Sequence, residues 1–234
     1  MTLSRRRFLT NSALTATAVP LALTAGIDYC EAASKSPYDL SMGFPADAIR
    51  LNYNENTLGP SPKAIEGATA AIHESYRYAL ADQLRPHIAD YQGVDKDWVV
   101  MGCGSSEILR LAPIAFGRNG GNVVSAHETW GGLTRVADNF GLNVTRVPLL
   151  KDQDYAFDFD GMLDAVDSDT RLFVLVTPNN PTGTTVSYAE IKNIADALPK
   201  DVLFVLDQAY VDYQDPQKSG VDLIKEGYSI VLVT

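Results

Sequence analysis

From residue 97 onward, short runs of β-branched and aliphatic residues alternate with segments whose apolar positions recur at helical spacing. The runs predict strands at Trp98–Met101, Asn122–Ser125, Asn143–Val147, Arg171–Thr177, Val202–Leu206 and Ile230–Val233. The segments between them predict helices over Ser106–Phe116, Gly132–Phe140, Asp158–Val166 and Tyr188–Leu198, with Lys218–Gly227 partly helical. Phe173–Val176 is apolar at every position, as strands buried on both faces are. Strand–helix alternation gives a mostly parallel sheet between layers of helices, an α/β fold of three-layer α/β/α type. Such sheets bind ligands beyond the carboxyl ends of their strands, so chemistry is sought first in the residues just past each strand.

Before residue 97 the pattern is helical. Ser61 is placed to cap a helix opened by Pro62, with Ala64, Ile65, Ala68, Ala71 and Ile72 on one face. Asp82 is placed to cap a second helix, with Leu84, Ile88 and Tyr91 on one side and Gly93 to end it. Residues 34–50, with Pro37, Gly43 and Pro45, read as an arm. Ahead of the arm, Arg5, Arg6 and Arg7 precede Phe8 and Leu9, and an uncharged apolar stretch runs from Ala13 to Ala25. This reads as a twin-arginine export signal with small residues for cleavage near Ala32 and Ala33, and the apolar stretch is too short to span a bilayer comfortably. The organisation expected is a signal peptide over 1–33, the arm over 34–50 and the α/β domain over 51–234, in a protein exported to the periplasm. The twin-arginine route carries folded cargo, which suits a protein that collects a small molecule before export.

Composition narrows the function. The chain has 234 residues, 46% hydrophobic and 21% charged, within the globular range. Its net charge of −10 disfavours nucleic acid as a partner. No run after the signal is long and apolar enough for a membrane span. Cys30 would leave with the signal, and Cys103 alone cannot form an internal disulfide. His73, His87 and His127 are scattered without metal-ligand spacing. Asp158 with Asp160, and Asp167 with Asp169, lack the glycine and terminal glutamate of a calcium loop. Neither a serine-nucleophile elbow nor a Walker phosphate loop is present.

Four constellations stand just past predicted strands. Gly102, Cys103, Gly104, Ser105 and Ser106 lie between a strand and a helix, where glycines let a ligand approach the backbone and the helix start offers free N–H groups to an anion. An ordinary glycine turn with a serine cap fits the same residues. Thr177, Pro178, Asn179, Asn180, Pro181, Thr182 and Gly183 form a proline-fixed loop that presents Asn180 rigidly, or a plain turn. Asp207 comes after a buried strand, where a carboxylate is costly without a partner such as a protonated ring nitrogen. Tyr210 lies on the same side of the turn; a helix-capping aspartate beside a packed tyrosine is the plainer reading. Trp130, just past another strand, is placed to stack on a flat ring or to join the core. Taken together, the four describe one ligand with a phosphate, an aromatic ring, a ring oxygen and a ring nitrogen: pyridoxal 5′-phosphate.

These residues, together with Leu51–Pro62, Arg77 with Tyr78, Glu107, and Thr129 to Gly131, resemble the class I/II aminotransferases of fold type I, and within them the histidinol-phosphate aminotransferase branch. The resemblance covers roughly 45–234. It implies a PLP-dependent transaminase moving an amino group between an L-amino acid, or a histidinol-phosphate-like amine, and a 2-oxo acid. It implies that Gly104, Ser105 and Ser106 hold the cofactor phosphate. Trp130, where the family usually has tyrosine or phenylalanine, would stack on the ring. Asn180 and Tyr210 would hydrogen-bond the ring oxygen, and Asp207 would pair with the ring nitrogen. Tyr78 would reach the phosphate of the neighbouring subunit in a homodimer. The family's Schiff-base lysine, its general base, is expected beyond Thr234, so no catalytic residue is assigned, and Lys218 and Lys225 stand before the last strand, in the wrong place. The small C-terminal domain is likewise expected to be missing. The alternative expectation is a non-catalytic, truncated aminotransferase remnant that at best binds PLP non-covalently.

Overall fold

The computed structural model describes residues 53–56, 58–78, 80–214 and 220–234. The export signal over 1–33, the arm over 34–50 and Lys218 lie outside the described residues. The chain forms two compact units, Met1–Glu74 and Ser75–Thr234. In the first, helix α1 (Pro62–Ala71) starts as the sequence predicts: Pro62 takes the first turn and the Ser61 hydroxyl accepts from the Ala64 N–H at 3.2 Å. Among the described residues nothing covers its apolar face, and no residue of the helix is buried.

The second unit opens with helix α2 (Ala81–Gln92), closed by Gly93 in the left-handed conformation. Asp82 does not cap it. Leu80 holds the cap position without a side-chain bond, and Asp82 sits in the first turn, paired with Arg85 at 2.8 Å. The alternating body comes next: α3 (Ser105–Gly117), β1 (Asn122–Ala126), α4 (Gly132–Asn139), β2 (Asn143–Val147), α5 (Phe159–Asp164), β3 (Thr170–Val176), α6 (Tyr188–Ala197), β4 (Leu203–Asp207), α7 (Val221–Lys225) and β5 (Ile230–Val233). Every boundary of these strands and of α3, α4 and α6 falls within a residue or two of its expected place. Local chemistry explains the starts: Asp158 caps α5 through the Gly161 N–H, and Ser187 and Glu190 close a capping box on α6.

The five strands are parallel in the order β2-β1-β3-β4-β5. Alternate residues of each strand point to opposite faces. Leu172, Val174, Leu203 and Val205 pack with Leu109, Ala112, Leu133 and Ala137 of α3 and α4. Phe173, Leu175, Phe204 and Leu206 pack with Met162 of α5, Ile191 and Ile194 of α6, and Leu223 of α7. The result is the expected three-layer sandwich.

One predicted strand is absent. Lys96–Trp98 is a single 3-10 turn, and residues 99–101 run on without a ladder partner among the described residues. A β-branched run becomes a strand only beside another strand, and here Val100 is left 75% exposed.

The core is tightest where Phe173 meets Phe204 edge to face, ring centroids 5.7 Å apart, both within 1% of full burial. Phe173→Ala is expected to cost about 3–5 kcal/mol. Urea unfolding checks this: the midpoint falls while the slope is unchanged.

Candidate active site

The site is built from the segments that leave three neighbouring strands and from one helix start. β3 and β4 pair so that Val176 lies opposite Asp207, and β4 and β5 pair so that Asp207 lies opposite Val233. Asp207 is thus the last residue of a strand flanked on both sides, and it is 4% exposed. Its carboxylate accepts one bond, from the Ala209 N–H at 3.0 Å, and no cationic side chain among the described residues pairs with it. Burial pushes its pKa above the ordinary aspartate value, against the smaller opposing effect of the Ala209 bond.

The Thr177 N–H donates to the Asp207 carbonyl at 2.9 Å, which ties the exit of β3 to the end of β4. The loop from Thr177 to Gly183 then brings Asn180 to Tyr210, whose hydroxyl lies 3.4 Å from the Asn180 amide nitrogen. Both side chains are half-buried. Three of the predicted residues, Asn180, Asp207 and Tyr210, therefore come together at the carboxyl ends of two adjacent strands.

Trp130 lies past the end of β1, the next strand over. It is half-buried, packs against the core on the α3/α4 side together with Ile108, and covers Gly132 so closely that a Cβ there would lie 1.7 Å from its ring. Any larger residue at position 132 would have to push the indole aside. Gly104 is the N-cap of α3, with a φ of +79° that favours glycine and open space where a Cβ would be. Ser105 and Ser106 fill the first turn, half-buried, and neither hydroxyl has a hydrogen-bond partner among the described residues. A helix start leaves its first N–H groups free, so this turn offers an anion donors and the positive end of the dipole. Gly104 and Ser105 line a cavity of about 430 Å³ with Val233 and Thr234, which places the turn at the same edge of the sheet as Asp207. Tyr78 is 97% exposed, so nothing among the described residues covers it. Lys225 lies 3.9 Å from Asp222 and beside Gly93, engaged at the end of α7.

Three residues to which the sequence assigns no role complete the site. Glu107 reaches back so that its carboxylate accepts from the Cys103 N–H, which shapes the glycine turn from within the helix. A glutamate three residues after a cap position is the signal for it. Asn179, 3% exposed, makes three side-chain hydrogen bonds, two of them to the loop after β1. The Glu128 carboxylate accepts from the Leu149 N–H at 3.0 Å, joining that loop to the exit of β2; this bond chiefly lowers the Glu128 pKa. Neither Asn179 nor Glu128 carries a sequence signal, because both bonds cross between distant segments. Among the described residues no group of acidic, histidine or cysteine side chains could hold a metal ion.

A parallel α/β sheet whose rim combines a helix start with free N–H groups, a half-buried indole, an amide–phenol pair and a buried carboxylate has the donors and surfaces suited to a flat, phosphorylated heterocycle. Residues 46–234 match the family Aminotransferase class I and II, and the chain belongs to that pyridoxal-phosphate-dependent family. It is 35% identical over 189 residues to a histidinol-phosphate aminotransferase of Ruegeria pomeroyi, covering 80% of this chain and 52% of that one. It is 39% identical over 188 residues to the protein of that name from Erythrobacter litoralis, with 80% and 50% covered. Among solved structures, a putative histidinol-phosphate aminotransferase from Erwinia carotovora atroseptica superposes with a TM-score of 0.72 at 33% identity, over 79% of this chain and 55% of that one. The Sinorhizobium meliloti histidinol-phosphate aminotransferase, solved with pyridoxal 5′-phosphate, gives 0.65 at 25% identity, over 70% and 45%. The chain spans about half the length of the relatives it matches.

The raised pKa of Asp207 fixes the sign of its effect on stability. The folded state holds this proton more tightly than the unfolded state, so ionisation costs stability at pH above the folded pKa. Below the unfolded value the cost vanishes. Asp207→Asn is therefore expected to raise the melting temperature of the ligand-free chain at pH 7 by about 2–4 °C, for a gain on the order of 1 kcal/mol. The gain should disappear as pH falls through the folded pKa toward the ordinary aspartate range. Calorimetry across pH checks both.

Proposed function

We propose that this chain is the cofactor-binding half of a pyridoxal-phosphate-dependent aminotransferase. The observation that carries the reading is Asp207: a buried carboxylate at a strand end, without a cation among the described residues, beside the Asn180–Tyr210 pair. The donor set fits the group. Free N–H groups at Ser105 and Ser106 suit a phosphate; the Gly104 N–H is taken by the Gly102 carbonyl at 2.9 Å, and the open space at Gly104 admits the group to the backbone. Asn180 and Tyr210 would donate to the ring oxygen, and Trp130 would lie against the ring. Asp207 would hold a proton on the ring nitrogen, which compensates the cost of burying its charge. When bound, pyridoxal phosphate supplies the electron sink for a carbanion at the substrate α-carbon.

The whole protein would transfer an amino group between an L-amino acid, or a histidinol-phosphate-like amine, and a 2-oxo acid; the names of the relatives support this substrate class. The twin-arginine pattern at Arg5, Arg6 and Arg7 supports export to the periplasm. The exposure of Tyr78 suits a residue used by a partner subunit in a homodimer, where it would reach the neighbouring phosphate.

Titrating pyridoxal phosphate into the purified chain, with absorbance and tryptophan emission as readouts, tests the cofactor reading. Saturable binding is expected, weakened about ten- to hundredfold by Asp207→Asn, the range for losing a hydrogen bond to a charged group. Borohydride followed by peptide mapping should leave Lys218 and Lys225 unmodified. Equal binding by Asp207→Asn, or no binding at all, overturns the reading. For the whole protein, a panel of amino donors with 2-oxoglutarate identifies the substrate.

A further inference from the structure

Asn180 and Trp130 sit on different loops, yet a bound ring would meet both at once, one at its edge and one on its face. Their relative position depends on the bonds that join the loops. Among the described residues, two hydrogen bonds link 127–131 to 177–184, and both are made by the side chain of Asn179. Its amide nitrogen donates to the Glu128 carbonyl at 2.9 Å, and its oxygen accepts from the Thr129 hydroxyl at 2.6 Å. The second amide hydrogen goes to the Thr182 hydroxyl at 2.8 Å. The Asn179 backbone is held as well, its N–H donating to the Thr184 carbonyl and its carbonyl accepting from the Gly183 N–H, each at 2.8 Å.

The grip falls next to the two functional side chains. Thr129 directly precedes Trp130, and Asn179 directly precedes Asn180. The partners are 50 and 51 residues apart in sequence, on loops leaving β1 and β3, which are neighbours in the sheet. The chemistry is specific to an amide. The Glu128 carbonyl can only accept, so the nitrogen must face it, and the oxygen is then left to the Thr129 hydroxyl. A carboxylate of the same shape would set negative charge against that carbonyl. A hydroxyl has one hydrogen to donate, whereas the Asn179 amide donates two, to Glu128 and to Thr182.

We propose that Asn179 is a positioning residue that locks the ring-face loop to the ring-edge loop, so that Trp130 and Asn180 are set as one rigid unit. This rests on the cofactor reading for its purpose, but not for its physical content. Tolerances of about 0.5 Å separate a site that binds a rigid ring from one that is merely present. A buried side chain with both amide hydrogens and its oxygen engaged supplies that stiffness.

The test uses the full chain carrying Trp98→Phe, which leaves Trp130 as its one indole. Asn179→Asp removes the donation to the Glu128 carbonyl and Thr129→Val removes the bond from the Thr129 hydroxyl, so each weakens the link, the second with little change of volume; Thr129→Ser restores the hydroxyl. Leu223→Ala, in the opposite core, is the control for simple loss of stability. Without ligand, both link-breaking variants are expected to raise acrylamide quenching of Trp130 at least twofold and to speed amide exchange in 127–131 and 177–184. Thr129→Ser and Leu223→Ala should leave both near the parent values. With pyridoxal phosphate, the link-breaking variants should bind about tenfold more weakly than the parent, and Thr129→Ser should match it. Unchanged quenching and exchange in Asn179→Asp and Thr129→Val, or equal changes in Leu223→Ala, overturn the proposal. If Asn179→Asp fails to fold, Thr129→Val decides it. A parent chain that takes up no pyridoxal phosphate overturns the cofactor reading instead, and the two ligand-free measurements still decide the lock.

Discussion

A carboxylate removed from water needs either a positive charge beside it or a proton on it. Asp207 meets that constraint at the end of β4, enclosed by β3 and β5 and held by one backbone N–H. The remainder of the second unit keeps it there. Two apolar layers clamp the sheet from both faces, so the strand end cannot swing outward to rehydrate the charge. The Gln208 N–H donates to the Val233 carbonyl at 2.7 Å, and the Gln208 side chain accepts from the Gly220 N–H at 2.9 Å, which fixes the chain just past the carboxylate. The fold thereby carries an electrostatic cost that, in the proposed complex, a cationic ring nitrogen would relieve. On that reading binding and stability pull in opposite directions at this one residue, as they commonly do at functional sites.

Hydrophobic periodicity carried nearly all of the fold, because the central strands β1, β3 and β4 are buried almost throughout and the helices packed on them each have one apolar face. It misled at Trp98–Met101. There the run has strand composition, but strand formation depends on a neighbour that composition cannot supply. It misled also at Asp82, whose carboxylate is drawn to Arg85 within the first turn rather than to the free N–H groups. The site was legible where a residue type coincides with a strand end, as at Asn180, Asp207 and Tyr210; Gly104 was legible as a helix start, although the strand expected before it does not form. Asn179 was not, since two adjacent asparagines look alike in sequence and only the three-dimensional path shows which is buried. Glu128 was hidden for the same reason, its partner Leu149 lying on a different loop.

The edge of the sheet shows the same dependence on neighbours. Val99, Val100 and Met101 share a cavity wall with Ile230–Thr234, and apolar side chains of α2, α3 and α7 complete it. Neither segment has a ladder partner on that side among the described residues. Unpaired strand edges are the part of a sheet most open to further pairing. Burial there is correspondingly shallow: Ile230, Val231 and Leu232 are only partly covered, whereas the central β4 is buried throughout. Stability in this unit is graded from the β3–β4 centre toward β5.

That gradient makes the cross-loop bonds matter. Asp207, Asn180 and Tyr210 hang from the two best-buried strands and inherit their rigidity. Trp130 hangs from β1 by a loop of its own, and backbone pairing past β1 ends with the bond from the His127 N–H to the Val147 carbonyl. Beyond that point the loop is held from both sides, by the Glu128 carboxylate at the exit of β2 and by Asn179 at the exit of β3. Both bonds bring in groups from separate strand exits, so the loop is held by contacts distant in sequence. On the proposed reading, the precision of the site depends on these least local contacts, made by side chains that would never touch the ligand.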